Sequence, residues 1–152
     1  MSEEGLGEVN KLSPVGASFA IPRWGRGRLF FAHAAQGCYY LLMINETISK
    51  IEERIRVAGK MGGEQKTELL KLLAELKSEV TNLASTHEDD AHSIAGFTDV
   101  STHEATRGSR KPELMDQSLQ GLAASVRGFE ESHPRLVQLV NSISTTLSNL
   151  GI

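Results

Sequence analysis

The sequence predicts an all-α protein: a small helical bundle or set of helical hairpins with coiled-coil-like heptad stripes, preceded by an irregular or disordered N-terminal segment. Three observations lead there. From Met43 onward, apolar residues recur at steps of three and four, the spacing that lays one stripe along a helix. Clusters containing glycine or proline divide these stripes into segments. The residues before Met43 have a different texture, with no sustained helical or alternating period.

Two parts therefore follow, an irregular segment over residues 1–42 and a helical domain over residues 43–152. The first part holds Phe19, Trp24, Phe30, Phe31, Tyr39 and Tyr40, leaving only Phe97 and Phe129 for the rest of the chain. It also carries Pro14, Pro22, several glycines and Cys38. At Met43 the texture changes abruptly, which suggests a natural start there and an over-extended reading frame upstream. A partner-binding aromatic arm is the competing reading of the same residues. The stretch RGRLFFAHAAQGC superficially resembles a lipoprotein signal, but His33 and Gln36 interrupt its apolar run and an acidic start precedes it.

Ile44, Ile48, Ile51 and Ile55 form the first stripe, which Gly59, Gly62 and Gly63 end. Leu69, Leu73, Leu76, Val80 and Leu83 form the second, widened by Leu70 and Leu72 into a core-facing surface. The short glycine-containing link between them predicts an antiparallel helical hairpin. A third helix is expected from Glu88 to Arg107, with Thr86 as N-cap and Ile94, Phe97, Ser101 and Ala105 as a weak stripe. Gly108 to Pro112 then supplies a turn.

The closing segment regains strict spacing at Met115, Leu119, Leu122, Val126 and Phe129, then Leu136, Val140, Ile143, Leu147 and Leu150. Pro134 lies inside that pattern. An interior proline costs a helix about 3 kcal/mol through a lost hydrogen bond and a clash one turn back. Two helices, the reading favoured over one long helix kinked at Pro134, avoid that cost if one ends near Glu131 and the next begins with Ser132 as cap and Pro134 in its first turn.

The motifs FEESHPRLVQLVNSISTTLSNLGI, SIAGFTDVSTHEATR and LMDQSLQGLAASVRGFE together resemble the bacterial proteins grouped as domain-of-unknown-function family 4404. The resemblance covers most of Met43 to Ile152 and none of residues 1–42. It implies a small, cytoplasmic, mostly helical protein and carries over no reaction, ligand or site residue.

The composition narrows the partners. Among 152 residues, 16 basic and 19 acidic side chains leave no basic face of the kind that selects nucleic acid or an anionic membrane. No run approaches the roughly 20 apolar residues of a membrane span. The lone Cys38 excludes an internal disulfide, and a reducing, cytoplasmic compartment is the default.

The histidines are the main enzymatic temptation. His87 and His92 are five residues apart, about 140° around a helix, rather than the stacked spacing of a zinc pair. His103 begins HEATR, which lacks the second histidine of a zincin motif. A metal-dependent enzyme using Glu88, Asp89, Asp90, His92, Asp99, His103 and Glu104 is the alternative weighed against an ordinary solvated face. His133, before a helix-starting proline, is read as satisfying backbone groups or packing at the corner, in preference to a catalytic or pH-sensing role. Ser142, Ser144, Thr145, Thr146 and Ser148 fall on a polar helix face without a nucleophile elbow, and GKMGGEQKT lacks phosphate-loop spacing.

No catalytic, cofactor-binding or metal residue is therefore assigned, and no cofactor is expected. The expected function is that of a non-enzymatic interaction module, a homo-oligomer or the partner of another helix, because a single striped hairpin cannot bury its apolar rows alone. The pool serving core or interface is Ile48, Ile51, Leu69, Leu73, Leu76, Val80, Leu119, Leu122, Val126, Leu136, Val140, Ile143 and Leu147.

Overall fold

The structure is a computed structural model that describes residues 25–151, with side chains described over residues 36–150. Five helices follow one another: α1 (Gly25–Val57), α2 (Gly63–Ala84), α3 (Glu88–Thr106), α4 (Pro112–Ser125) and α5 (Pro134–Gly151). The chain divides into two compact units, Met1–Gln36 and Gly37–Ile152, and the core lies in the second. Of the expected irregular segment, residues 1–24 lie outside the described residues, as do the side chains of Phe30 and Phe31.

Helix α1 starts at Gly25, well before Met43. The physical reason is in the composition after Pro22. No further proline interrupts the stretch, and Leu29, Ala32, Ala34, Ala35, Gln36 and Leu41 are good helix formers. Gly37 costs about 1 kcal/mol of helix propensity, too little to stop a helix already propagating.

Within the second unit, each stripe becomes a buried face. Ile44, Ile48, Ile51 and Ile55 of α1 are fully buried, as are Leu69, Leu73, Leu76, Val80 and Leu83 of α2. Each such side chain removed from water contributes about 1.5–3 kcal/mol. Between these helices Gln65 Oε1 accepts the Gly62 amide N–H at 3.3 Å, satisfying one of the orphan donors at the α2 N-terminus. Lys66 Nζ donates to the Arg56 carbonyl at 3.2 Å, placing a cation at the end of α1 where the last carbonyls are unpaired.

Thr86 does not cap α3. Its hydroxyl donates to the Leu83 carbonyl at 3.3 Å and meets His87 Nδ1 at 2.8 Å, so it closes α2 instead. His87 occupies the N-cap position without a side-chain cap bond. Glu88, Asp89 and Asp90 still fill the first turn, where the helix dipole favours negative charge.

Apart from Ile94, the buried face of α3 is made of small and polar residues: Ala91, Ala95, Thr98, Ser101, Thr102, Glu104 and Ala105. Phe97, expected on that stripe, sits at its edge and remains 39% exposed. Small side chains let neighbouring helices approach closely, and α3 packs against α2, α4 and α5. One consequence is visible at Gly121 of α4, where a Cβ would collide with the Phe97 ring, 2.6 Å from Cδ1 and 2.9 Å from Cζ.

The chain breaks at Pro134, so α4 and α5 are separate helices. The first ends at Ser125 rather than near Glu131, and His133 rather than Ser132 precedes the proline at the cap position. The corner is built over residues 126–133. Gly128 takes φ 91°, a conformation that a side chain would strain, and its N–H donates to Glu130 Oε2 at 2.7 Å. Phe129 turns inward, and the His133 N–H donates to its carbonyl at 2.8 Å. Pro134 then begins α5, where it has no intrahelical bond to lose.

These helices consume the predicted apolar pool within one chain. Leu119 is partly buried, and every other member of the pool is buried in a single cluster. The premise that one hairpin must leave its rows unpaired is thus replaced: five helices, not two, share the rows.

Candidate functional site

The histidines and carboxylates of residues 87–104 diverge around α3. The His92 ring meets Tyr40 of α1 edge-on, with centroids 6.2 Å apart. Asp99 forms an ion pair with Arg54 of α1, and Arg54 Nη1 also reaches the Asp99 carbonyl at 3.4 Å. Glu104, buried despite its charge, accepts two hydrogen bonds from Arg107 Nη1, at 3.0 Å to Oε1 and 2.8 Å to Oε2. That pairing neutralises a carboxylate that would otherwise be costly to desolvate. His103 is exposed. Among the described residues, no three His, Cys, Asp or Glu side chains come together in a way that could hold a metal ion.

The remaining histidines gather at a corner. His87, at the α2–α3 turn, stacks edge-to-face on Phe129 with centroids 5.2 Å apart, and His133 meets the same ring at 5.7 Å. The two imidazoles lie 6.5 Å apart. His133 is half-buried, packing at the corner as its position before Pro134 suggests, while His87 is exposed. Edge-to-face contacts of this kind contribute about 0.5–1.5 kcal/mol beyond burial. Their local effect is to pin the α4–α5 corner to the end of α2.

Three hydroxyls of α5 are committed to their own helix. Thr145, Thr146 and Ser148 donate to the carbonyls of Asn141, Ser142 and Ser144 at 2.9, 3.0 and 2.8 Å. Hydroxyls bonded back in this way are satisfied without activating a nucleophile.

A cavity of about 270 Å³ opens where α3, the α3–α4 link, α4 and α5 meet. Pro112, Met115 and Leu119 provide its apolar wall. Glu104, Arg110, Lys111, Asp116 and Ser148 provide the polar groups. The sequence reading missed this site because its residues are scattered over more than forty positions and form no motif. Arg110 and Lys111 read there only as part of a turn.

Outward-facing apolar side chains form a second feature. Tyr39 and Leu42 of α1 are 61% and 58% exposed, and Val57, Phe97, Val100 and Leu114 are also exposed. Tyr39 and Leu42 are three residues apart on one helix face, as are Phe97 and Val100. None of these was in the predicted interface pool. Cys38 is exposed beside them on α1. Among the described residues, no helix is long and apolar enough to cross a membrane.

Five helices without a strand among the described residues define an all-α helical-bundle protein. A family model for a domain of unknown function, DUF4404, matches residues 69–152, and the chain belongs to that family. The match begins at Leu69, inside α2, so α1 lies outside it. No curated protein and no solved structure matches the chain.

Proposed function

We propose that the chain is a non-enzymatic helical interaction module that works by self-association or by docking a partner helix, in a cytoplasmic setting. The observation that carries this reading is the set of outward apolar residues on α1 and α3, Tyr39 with Leu42 and Phe97 with Val100. With the heptad rows already buried inside the chain, these residues take over the role that the sequence reading gave to unpaired stripes. Two apolar side chains three residues apart present one helical ridge, the form in which amphipathic helices meet grooves or each other. The divergence of the histidines and carboxylates of α3 into separate contacts supports a binding role over a hydrolytic one.

Sedimentation velocity of the full chain over a hundredfold concentration range, paired with affinity copurification, tests this. A concentration-dependent oligomer or a stoichiometric partner is expected, and either should weaken on Leu42→Glu with Val100→Glu. A monomer at every concentration that also brings down no stoichiometric partner overturns the proposal.

A further inference from the structure

We propose that the cavity between α3, α4 and α5 is a binding site for a small amphipathic carboxylate, an anionic head on a short apolar tail. This is independent of the interaction reading, since it involves different residues. Four observations point to that chemistry. First, the walls divide: Pro112, Met115 and Leu119 offer apolar surface, while Arg110 and Lys111 are adjacent cations at one margin. Second, the buried Glu104 is already matched by Arg107, so it neither repels an incoming anion nor needs Arg110 as its counterion. Asp116 offsets one of the two cations, leaving an excess positive charge at the cavity.

Third, Arg110 Nε is buried and has no hydrogen-bond partner within the protein. A guanidinium N–H is a strong donor in a fixed fork geometry, and burying one unpaired is unfavourable. A carboxylate accepts from such a fork through two oxygens and would satisfy it once the Arg110 side chain turns its buried Nε toward the cavity. Fourth, the volume of about 270 Å³ lies just below the roughly 300 Å³ at which pockets for drug-sized ligands begin. A short-chain or single-ring acid fits this scale, and a dinucleotide does not. A neutral apolar molecule would leave Arg110 unpaired, whereas an inorganic anion would leave the Met115 and Leu119 surface uncovered.

The test is titration of the isotope-labelled full chain with octanoate, kept below micelle-forming concentrations, and with octanol as the neutral analogue, followed by amide NMR shifts. Saturable shifts at Lys111, Met115, Asp116 and Ser148 are expected with octanoate, and octanol should bind at least tenfold more weakly. Arg110→Gln should reduce octanoate affinity at least tenfold, and exposed Asp116→Asn should increase it severalfold by removing a like charge. Because Asp116 is exposed, this second variant tests the electrostatics even if Arg110→Gln perturbs the link. Equal binding of octanol and octanoate, insensitivity of octanoate to both variants, or no saturable shift at these residues would each overturn the assignment.

Discussion

The contact between Phe97 and Gly121 makes a prediction whose sign depends on one neighbour. Replacing an interior helical glycine by alanine ordinarily stabilises a helix by about 1 kcal/mol. At Gly121 the new Cβ would enter the Phe97 ring, 2.6 Å from Cδ1 and 2.9 Å from Cζ, so the ring must leave its seat. Phe97 is 39% exposed, hence about three-fifths buried. Full burial of a phenylalanine is worth about 1.5–3 kcal/mol, so ejecting it costs about 1–2 kcal/mol, and incomplete relaxation adds an overpacking term of about 1 kcal/mol. Gly121→Ala should therefore destabilise the wild-type chain by about 1–2 kcal/mol. In a Phe97→Ala background the collision is gone and the same change should stabilise by about 1 kcal/mol. Urea unfolding of the four proteins gives the coupling directly, expected at about 2–3 kcal/mol. If Gly121→Ala stabilises both backgrounds equally, the ring does not sit on this glycine and the close α3–α4 approach is refuted.

Other substitutions probe the remaining elements. Leu73→Ala empties a fully buried position of α2 and should cost about 2–5 kcal/mol, lowering the melting temperature in a thermal scan by roughly 10 °C; a loss below about 1 kcal/mol would contradict the packed core. Gly128→Ala should cost about 1–2 kcal/mol through its positive φ alone, since its Cβ would meet no atom within 4 Å, whereas Gly59→Ala, equally unobstructed and without positive φ, serves as the near-neutral control in the same denaturation series. Asp99→Asn removes the charge facing Arg54; because both side chains are about one-third exposed, the loss should be no more than about 1 kcal/mol and should shrink in 1 M salt, and a larger, salt-independent loss would mean the pair is buried more deeply than described.

The corner at Pro134 shows how a local rule can be right in kind and wrong in extent. The energetic cost of an interior proline favours two helices over one long kinked helix, and the structure has two. Where α4 stops is set elsewhere, by Gly128 adopting positive φ and by Phe129 reaching inward to meet His87 and His133. A heptad phase that continues through Phe129 gives no hint of this. The apolar side chain is buried in either geometry, so periodicity alone cannot distinguish a helix from a corner that happens to point inward.

The same limit explains the two other departures. Residues 25–42 read as irregular because aromatics and glycines obscure their period, yet once proline is absent, ordinary propensity lets the helix run on. Phe97 reads as part of a weak α3 stripe through its spacing from Ile94, Ser101 and Ala105. It lies at the edge, partly exposed, with its ring seated on Gly121 of α4, where the absence of a Cβ leaves room for it.

What the sequence determined by itself was the helical class, the stripes that become the core, and a disruption at Pro134 that the structure resolves into a break between two helices. These depend on spacing and backbone chemistry, which are local along the chain. Only the tertiary structure decided that the stripes satisfy one another within a single chain, that the α3 carboxylates and histidines separate into unrelated contacts, and that Arg110 and Lys111 meet Met115, Leu119 and Ser148 around one cavity. Those outcomes depend on which faces of distant helices meet, and a linear pattern of three and four carries no record of that choice.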